Sequence, residues 1–159
     1  MAKRRLALAM ALLVAMAGGA SACTLPANAA GMEAELARLM NAERKRGGLA
    51  ELEFSADLRR AAERQVCDMA DSGVRSHTGT DGSRFATRLR AAGGCPPGGE
   101  NLAWGQRSAA ATFAGWMASR GHRANLLHRG ATSYGIAVAL PGPRRGGGPL
   151  WVLVVGRDC

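Results

Sequence analysis

From Met32 to Arg46, apolar side chains fall at Leu36, Leu39 and Met40, with Glu33, Glu35, Arg38, Glu43 and Lys45 on the other faces. This spacing predicts an amphipathic helix. Its acids come early and its bases late, in line with the helix dipole, and Gly47-Gly48 ends it. Leu49, Leu52 and Phe54 read as a short apolar connection packed on the domain. Ser55 is placed to cap a second helix, Ala56 to Ser72, whose buried face is Leu58, Ala61, Ala62, Val66 and Met69. Gly73 closes it. A third helix opens at Asp81-Gly82-Ser83 and runs to about Ala92, with Phe85 and Leu89 on one side. The Gly/Pro run at 93–99 is predicted irregular. Asn101 to Trp104 reads as a short strand. Ser108 to Met117 reads as a fourth helix burying Phe113, Trp116 and Met117, and Arg120 to Leu127 as a tight turn with a short helix. The tail then changes period. Tyr134 to Leu140 alternates large and small side chains, as in a strand packed on one side. Pro141 to Pro149 is a hairpin loop, and Trp151 to Val155 a buried strand. Helices first and antiparallel strands last indicate an α+β domain.

The first part of the 159-residue chain does not share this patterning. Lys3, Arg4 and Arg5 precede an unbroken apolar run from Leu6 to Ala17. The run is shorter than the ~20 residues needed to span a bilayer. Small residues follow, which is the form of a secretory signal peptide over 1–22. Both Ala20-Ser21-Ala22 and Ala27-Asn28-Ala29 fit the cleavage rule, so cleavage as late as 29 is also open. The expected organisation is then a linker at 23–32 and a domain at 33–159, in a secreted or periplasmic protein. Ala20-Ser21-Ala22-Cys23 also resembles a bacterial lipobox, with Ala20 where Leu is usual, so a lipid anchor at Cys23 is a further option.

Export makes the four cysteines, Cys23, Cys67, Cys95 and Cys159, candidates for disulfides, and four allow three connectivities. Cys67–Cys95 is the favoured bridge, because it would hold the Gly/Pro loop against the second helix. Closing that loop would contribute ~3 kcal/mol by chain entropy. The formal charge is +9, from 21 Lys+Arg against 12 Asp+Glu, and falls to +6 without the three cations of the leader. The excess is mostly Arg scattered along helices, with few aromatics, in an exported protein. It therefore speaks against nucleic acid and for salt-sensitive attraction to anionic envelope polymers.

Polar chemistry concentrates in three islands: Ser76-His77-Thr78-Gly79, Gly99-Glu100-Asn101-Leu102-Ala103, and Trp116-Met117 followed by Gly121-His122-Arg123-Ala124-Asn125-Leu126. Glycine beside a carboxylate or imidazole, with apolar residues after it, suits a backbone that brings polar groups to a cleft wall. With Leu39-Met40-Asn41 and Arg44, Ala61 to Met69, and Tyr134-Gly135-Ile136-Ala137, these islands follow one another in an order that resembles the CAP superfamily. That superfamily comprises the cysteine-rich secretory, antigen 5 and pathogenesis-related 1 proteins (SCP domains), and the likeness is to its bacterial secreted branch, over roughly residues 33 to 156. The resemblance implies a three-layer α-β-α sandwich with a small antiparallel sheet, and a cleft lined by two His and two Glu. Three of the four map here, to His77, Glu100 and His122. The fourth, a Glu three residues after the helix Trp, is Ser119 in this chain.

Two imidazoles could ligate a divalent metal such as Zn²⁺, with Glu100 as a third ligand or as an orienter of bound water. Without metal, Glu100 could raise the basicity of a histidine for general-base chemistry. Alternatively, Glu100 and His122 hold the loops as a satisfied polar network. Ser76, Ser83 and Ser119 lie in no nucleophile elbow. His128 reads as a surface turn residue, Trp104 and Trp116 as core, and Asn101 and Asn125 as bridges to backbone in the turns. Three functions follow as expectations. One is an extracytoplasmic, monomeric binding or envelope-associated module whose cleft takes a metal, lipid, glycan or peptide. Another is a His/Glu-dependent or metal-dependent hydrolase, with His77, Glu100 and His122 as catalytic candidates. The third is a non-catalytic scaffold using a surface patch at Arg144, Arg145 and Arg157.

Overall fold

The computed structural model describes residues 23–143 and 145–159; the segment 1–22, read above as a signal peptide, and Arg144 lie outside the described residues. The elements in chain order are α1 (Ala29–Arg46), β1 (Glu53–Phe54), α2 (Ala56–Ser72), α3 (Phe85–Ala92), β2 (Pro97–Trp104), α4 (Ala109–Ala118), α5 (Arg120–Leu126), β3 (Ser133–Ala139) and β4 (Leu150–Gly156). The sheet has the order β1-β3-β4-β2. β4 pairs antiparallel with both β3 and β2, while β1 joins β3 in parallel.

Alternation along the strands divides the core in two. Ile136 and Val138 of β3, with Trp151, Leu153 and Val155 of β4, pack on one side with Leu36 and Met40 of α1 and Trp116 of α4. Ala137, Ala139, Leu150, Val152 and Val154 face the other way, onto Leu58, Ala62, Val66 and Met69 of α2 and Leu89 of α3. The result is the α-β-α sandwich. β3 is therefore packed on both faces, not one: its large residues meet one helical layer and its small ones the other. The small face is required by distance. A Cβ on Gly135 would stand 2.1 Å from the Arg59 backbone nitrogen, so α2 lies directly on this strand.

Local signals set the helix ends. Ser55 Oγ accepts the Leu58 amide at 3.4 Å, and Ser108 Oγ accepts that of Ala111 at 3.2 Å, each satisfying a first-turn donor. Gly73 takes the left-handed conformation, φ 75°, where α2 stops. Several expectations shift. α1 begins at Ala29, inside the segment read as linker. α3 begins only at Phe85, because Asp81 and Ser83 form a turn through the Ser83 amide and Asp81 Oδ1. β2 begins at Pro97, within the run read as irregular, because β4 supplies a partner strand across from it, with a register shift between Pro97 and Gly99. Phe54 is not packed into the core; it forms a two-residue edge strand, is exposed, and meets the Tyr134 ring edge-on.

The disulfides correct the favoured pairing. Cys23 bonds Cys67, and Cys95 bonds Cys159. Register explains the second bridge: Pro97 pairs with Gly156, so Cys95 and Cys159 overhang the same end of the β2–β4 ladder. Cys67 instead meets the segment before α1, which the Thr24 carbonyl pins to the amide of Leu140.

Candidate functional site

The three islands converge on β2, an edge strand of the sheet. His77 comes from the loop after α2, Glu100 from β2 itself, and His122 from α5 in the opposite helical layer. The hydrogen-bond network shows how the backbone is held. Asn101 Nδ2 donates to the His122 carbonyl at 3.0 Å. Asn125 Nδ2 donates to the Glu100 carbonyl at 3.1 Å and to Asn101 Oδ1 at 2.8 Å. Both asparagines thus bridge the turns as their positions predict. Gly99 permits this approach, since a Cβ there would lie 2.4 Å from Asn125 Oδ1. Trp116 Nε1 donates to the Leu102 carbonyl at 3.0 Å, which ties α4 to the same strand.

Glu100 is buried, with 6% of its surface exposed. Its Oε1 lies 2.8 Å from His77 Nδ1, and its Oε2 accepts from Arg88 Nη2 at 2.7 Å. Arg88 is itself buried, and it also donates to the Ser83 carbonyl at 2.8 Å and the His77 carbonyl at 3.1 Å. One guanidinium therefore neutralises Glu100 and holds the loop that presents His77. Contact with the carboxylate through Nδ1 leaves Nε2 of the exposed His77 as its outward nitrogen. His122 packs obliquely on Trp116, with ring centroids 6.4 Å apart. Burial first, and the neighbouring His77 second, hold the His122 imidazole below its usual pKa, so it is neutral at physiological pH.

The donor set bears on a metal. Both Glu100 oxygens are engaged by protein, which makes it an orienter of His77. Among the described residues, no three His, Cys, Asp or Glu side chains are grouped to hold a metal ion. An ion held by His77 and His122 alone would need water or a ligand to complete its coordination, unlike the closed four-ligand set of a structural zinc.

Two residues differ from their sequence reading or were missed by it. Arg88 was missed, although Phe85, Arg88 and Leu89 fall on one helical face, which puts a cation on an apolar stripe. Trp104 is not core. It is 43% exposed at the end of β2, with the Arg75 guanidinium 5.4 Å from its ring centroid. Ser119, which stands at the position of the second Glu that the resemblance implies, is the junction residue between α4 and α5. Trp116 is core. His128 lies in the turn after α5, where its Nδ1 accepts the Gly130 amide and its carbonyl accepts from the buried Arg44.

Fold and site together define an α-β-α domain in which β2 carries a buried Glu100 held by His77 and Arg88. The profile of the CAP (cysteine-rich secretory protein) family matches residues 37–155. The chain belongs to this family, with bacterial relatives. It is 32% identical over 112 residues to the uncharacterized protein YkwD of Bacillus subtilis, covering 70% of this chain and 44% of that protein. An extracellular protein of Bacillus anthracis containing an SCP domain superposes with a TM-score of 0.72 at 25% identity, over 82% of this chain and 41% of the other. An outer surface protein of Borrelia burgdorferi shares the fold, with a TM-score of 0.71 at 18% identity, over 78% of this chain and 90% of the other. The chain thus spans less than half the length of the two Bacillus relatives.

Proposed function

We propose that this chain is an extracellular binding module, acting as a monomer, whose cleft at the β2 edge holds its ligand without turnover. A divalent ion, Zn²⁺ by donor chemistry, would be carried by His77 Nε2 and the neutral ring of His122. The ion would present an open coordination position to the ligand. The observation that carries this reading is the state of Glu100: buried, paired with Arg88, and committed to His77. A carboxylate so held sets a tautomer and an orientation, and its burial keeps it from bulk water. With Ser119 at the other expected position, the cleft lacks the second carboxylate that acid–base hydrolysis would use. The family's description as secretory, the extracellular relative that shares the fold and two disulfides support placement outside the cytoplasm. A lipid on Cys23 would need the sulfur that bonds Cys67, so the form proposed is the soluble, oxidised one.

Calorimetry with Zn²⁺ tests this on the parent and on His77→Ala and His122→Ala, each checked for folding by circular dichroism. Binding in the parent that disappears in both folded variants is expected. Binding retained in either folded variant, or absent from the parent, overturns the metal-bearing cleft.

A second reading rests on the 2.8 Å contact between His77 Nδ1 and Glu100, since a carboxylate-oriented imidazole can act as a general base. Hydrolysis of an ester panel that is lost in His77→Gln would favour it.

A further inference from the structure

A depression beside His122 lies at the exposed end of β2. Trp104 closes that strand with its indole half in solvent, whereas Trp116 and Trp151 are buried. Arg75 lies over the Trp104 ring, and among the described residues no carboxylate pairs with it. Each member of this Trp104–Arg75 pair lines a depression of its own. One, of about 290 Å³, is bounded by Trp104, Gln106, Trp116 and His122. The other, of about 330 Å³, is lined by Arg75, Arg145 and Pro141 among others.

We infer that this track binds an acidic oligosaccharide, one sugar stacking against Trp104 with a carboxylate held by Arg75, and the chain continuing toward Arg145. The inference rests on reading the cleft as a binding site and names its ligand class.

The chemistry follows from what the track offers. The C–H face of a sugar ring carries slight positive charge and matches the negative face of an indole, which is amphipathic enough to remain in water when the site is empty. Arg75 presents a planar fork suited to a carboxylate, and Arg145 repeats the charge in the adjoining depression. An alkyl chain would strip water from Arg75 while giving it no partner. An acidic peptide could satisfy the arginines, but it lacks a rigid C–H face to stack on Trp104.

The three tryptophans make the test direct, because Trp104 alone among them is open to a soluble quencher. Acrylamide quenching is measured on the exported protein with tetragalacturonate, an N-acetylmuramate-containing tetrasaccharide, maltotetraose and tetraglutamate. At least one acidic saccharide is expected to shield the fluorescence, with less effect as salt rises. Calorimetry of that saccharide should show binding lost in Trp104→Ala and about tenfold weaker in Arg75→Gln. His77→Ala, which removes the proposed metal ligand, should keep the shielding. The inference is overturned if neither acidic saccharide shields Trp104, if maltotetraose does so equally, or if tetraglutamate matches the sugars. Zinc binding measured on the same sample separates the two failures: zinc bound with no saccharide effect sinks only the ligand class, and the reverse sinks only the metal.

Discussion

A buried guanidinium needs partners, and the two terminal nitrogens of Arg88 are held by Glu100 and by the carbonyls of Ser83 and His77, while its Nε is buried without one. Removing one partner of a buried pair leaves a stranded charge. Arg88→Met should therefore cost about 3–5 kcal/mol in urea unfolding. The double variant Arg88→Met/Glu100→Gln should recover much of that loss, since no net charge then remains buried. His122 makes a prediction of opposite chemistry. Its folded-state pKa lies below its unfolded value because burial and His77 disfavour the cation. Below the unfolded pKa the unfolded chain takes up the proton first. Stability should accordingly fall as pH drops from about 6.5 and level off once the folded protein also protonates. Thermal melts from pH 8 to 4.5 check this, and His122→Gln should flatten the curve in that window. His77, Glu100 and His122 were legible because each carries chemistry that stands out in a line of residues. Arg88 was not, because in Arg84-Phe85-Ala86-Thr87-Arg88-Leu89-Arg90 a buried arginine has the same letter as its neighbours. Only its place between Phe85 and Leu89 on the helical wheel separates it.

Elements were legible where a single helix or strand carries its own signal. α2 starts and stops where Ser55 and Gly73 place it, because capping is local. β1 and the first residues of β2 were not legible. Both exist because a partner strand passes alongside, and that partner lies far away in sequence. The small residues of β3 report a distance between layers more than a strand propensity. Gly135→Ala places a methyl group against the α2 backbone rather than against a side chain that could turn away. Overpacking of this kind costs about 1–3 kcal/mol or more. We expect Gly135→Ala at or above the top of that range in denaturant unfolding, and Ala139→Gly well below it.

For the whole molecule, the sandwich was anticipated through the order of its motifs, but the cross-links were not. Pairing depends on which chain ends meet, and strand register decides that. Cys23–Cys67 spans 44 residues and Cys95–Cys159 spans 64. By loop entropy each contributes about 4 kcal/mol. A non-reducing peptide map should recover these two pairs, and full reduction should lower the melting temperature. Loss of the Cys23–Cys67 bond alone should leave the β2 site intact, because it ties down only the segment before α1. The close approach of β3 to α2 has a longer reach. Gly135 bears on the first turn of α2, and the loop carrying His77 leaves the helix's other end. A helix of 17 residues is a rod about 25 Å long. Pivoted on a fulcrum at Gly135, a tilt of only about 3° would swing its far end by about 1 Å. A hydrogen bond of 2.8 Å does not survive such a displacement. The grip of Glu100 on His77 is therefore set at the opposite end of the lever, by the absence of a single methyl group.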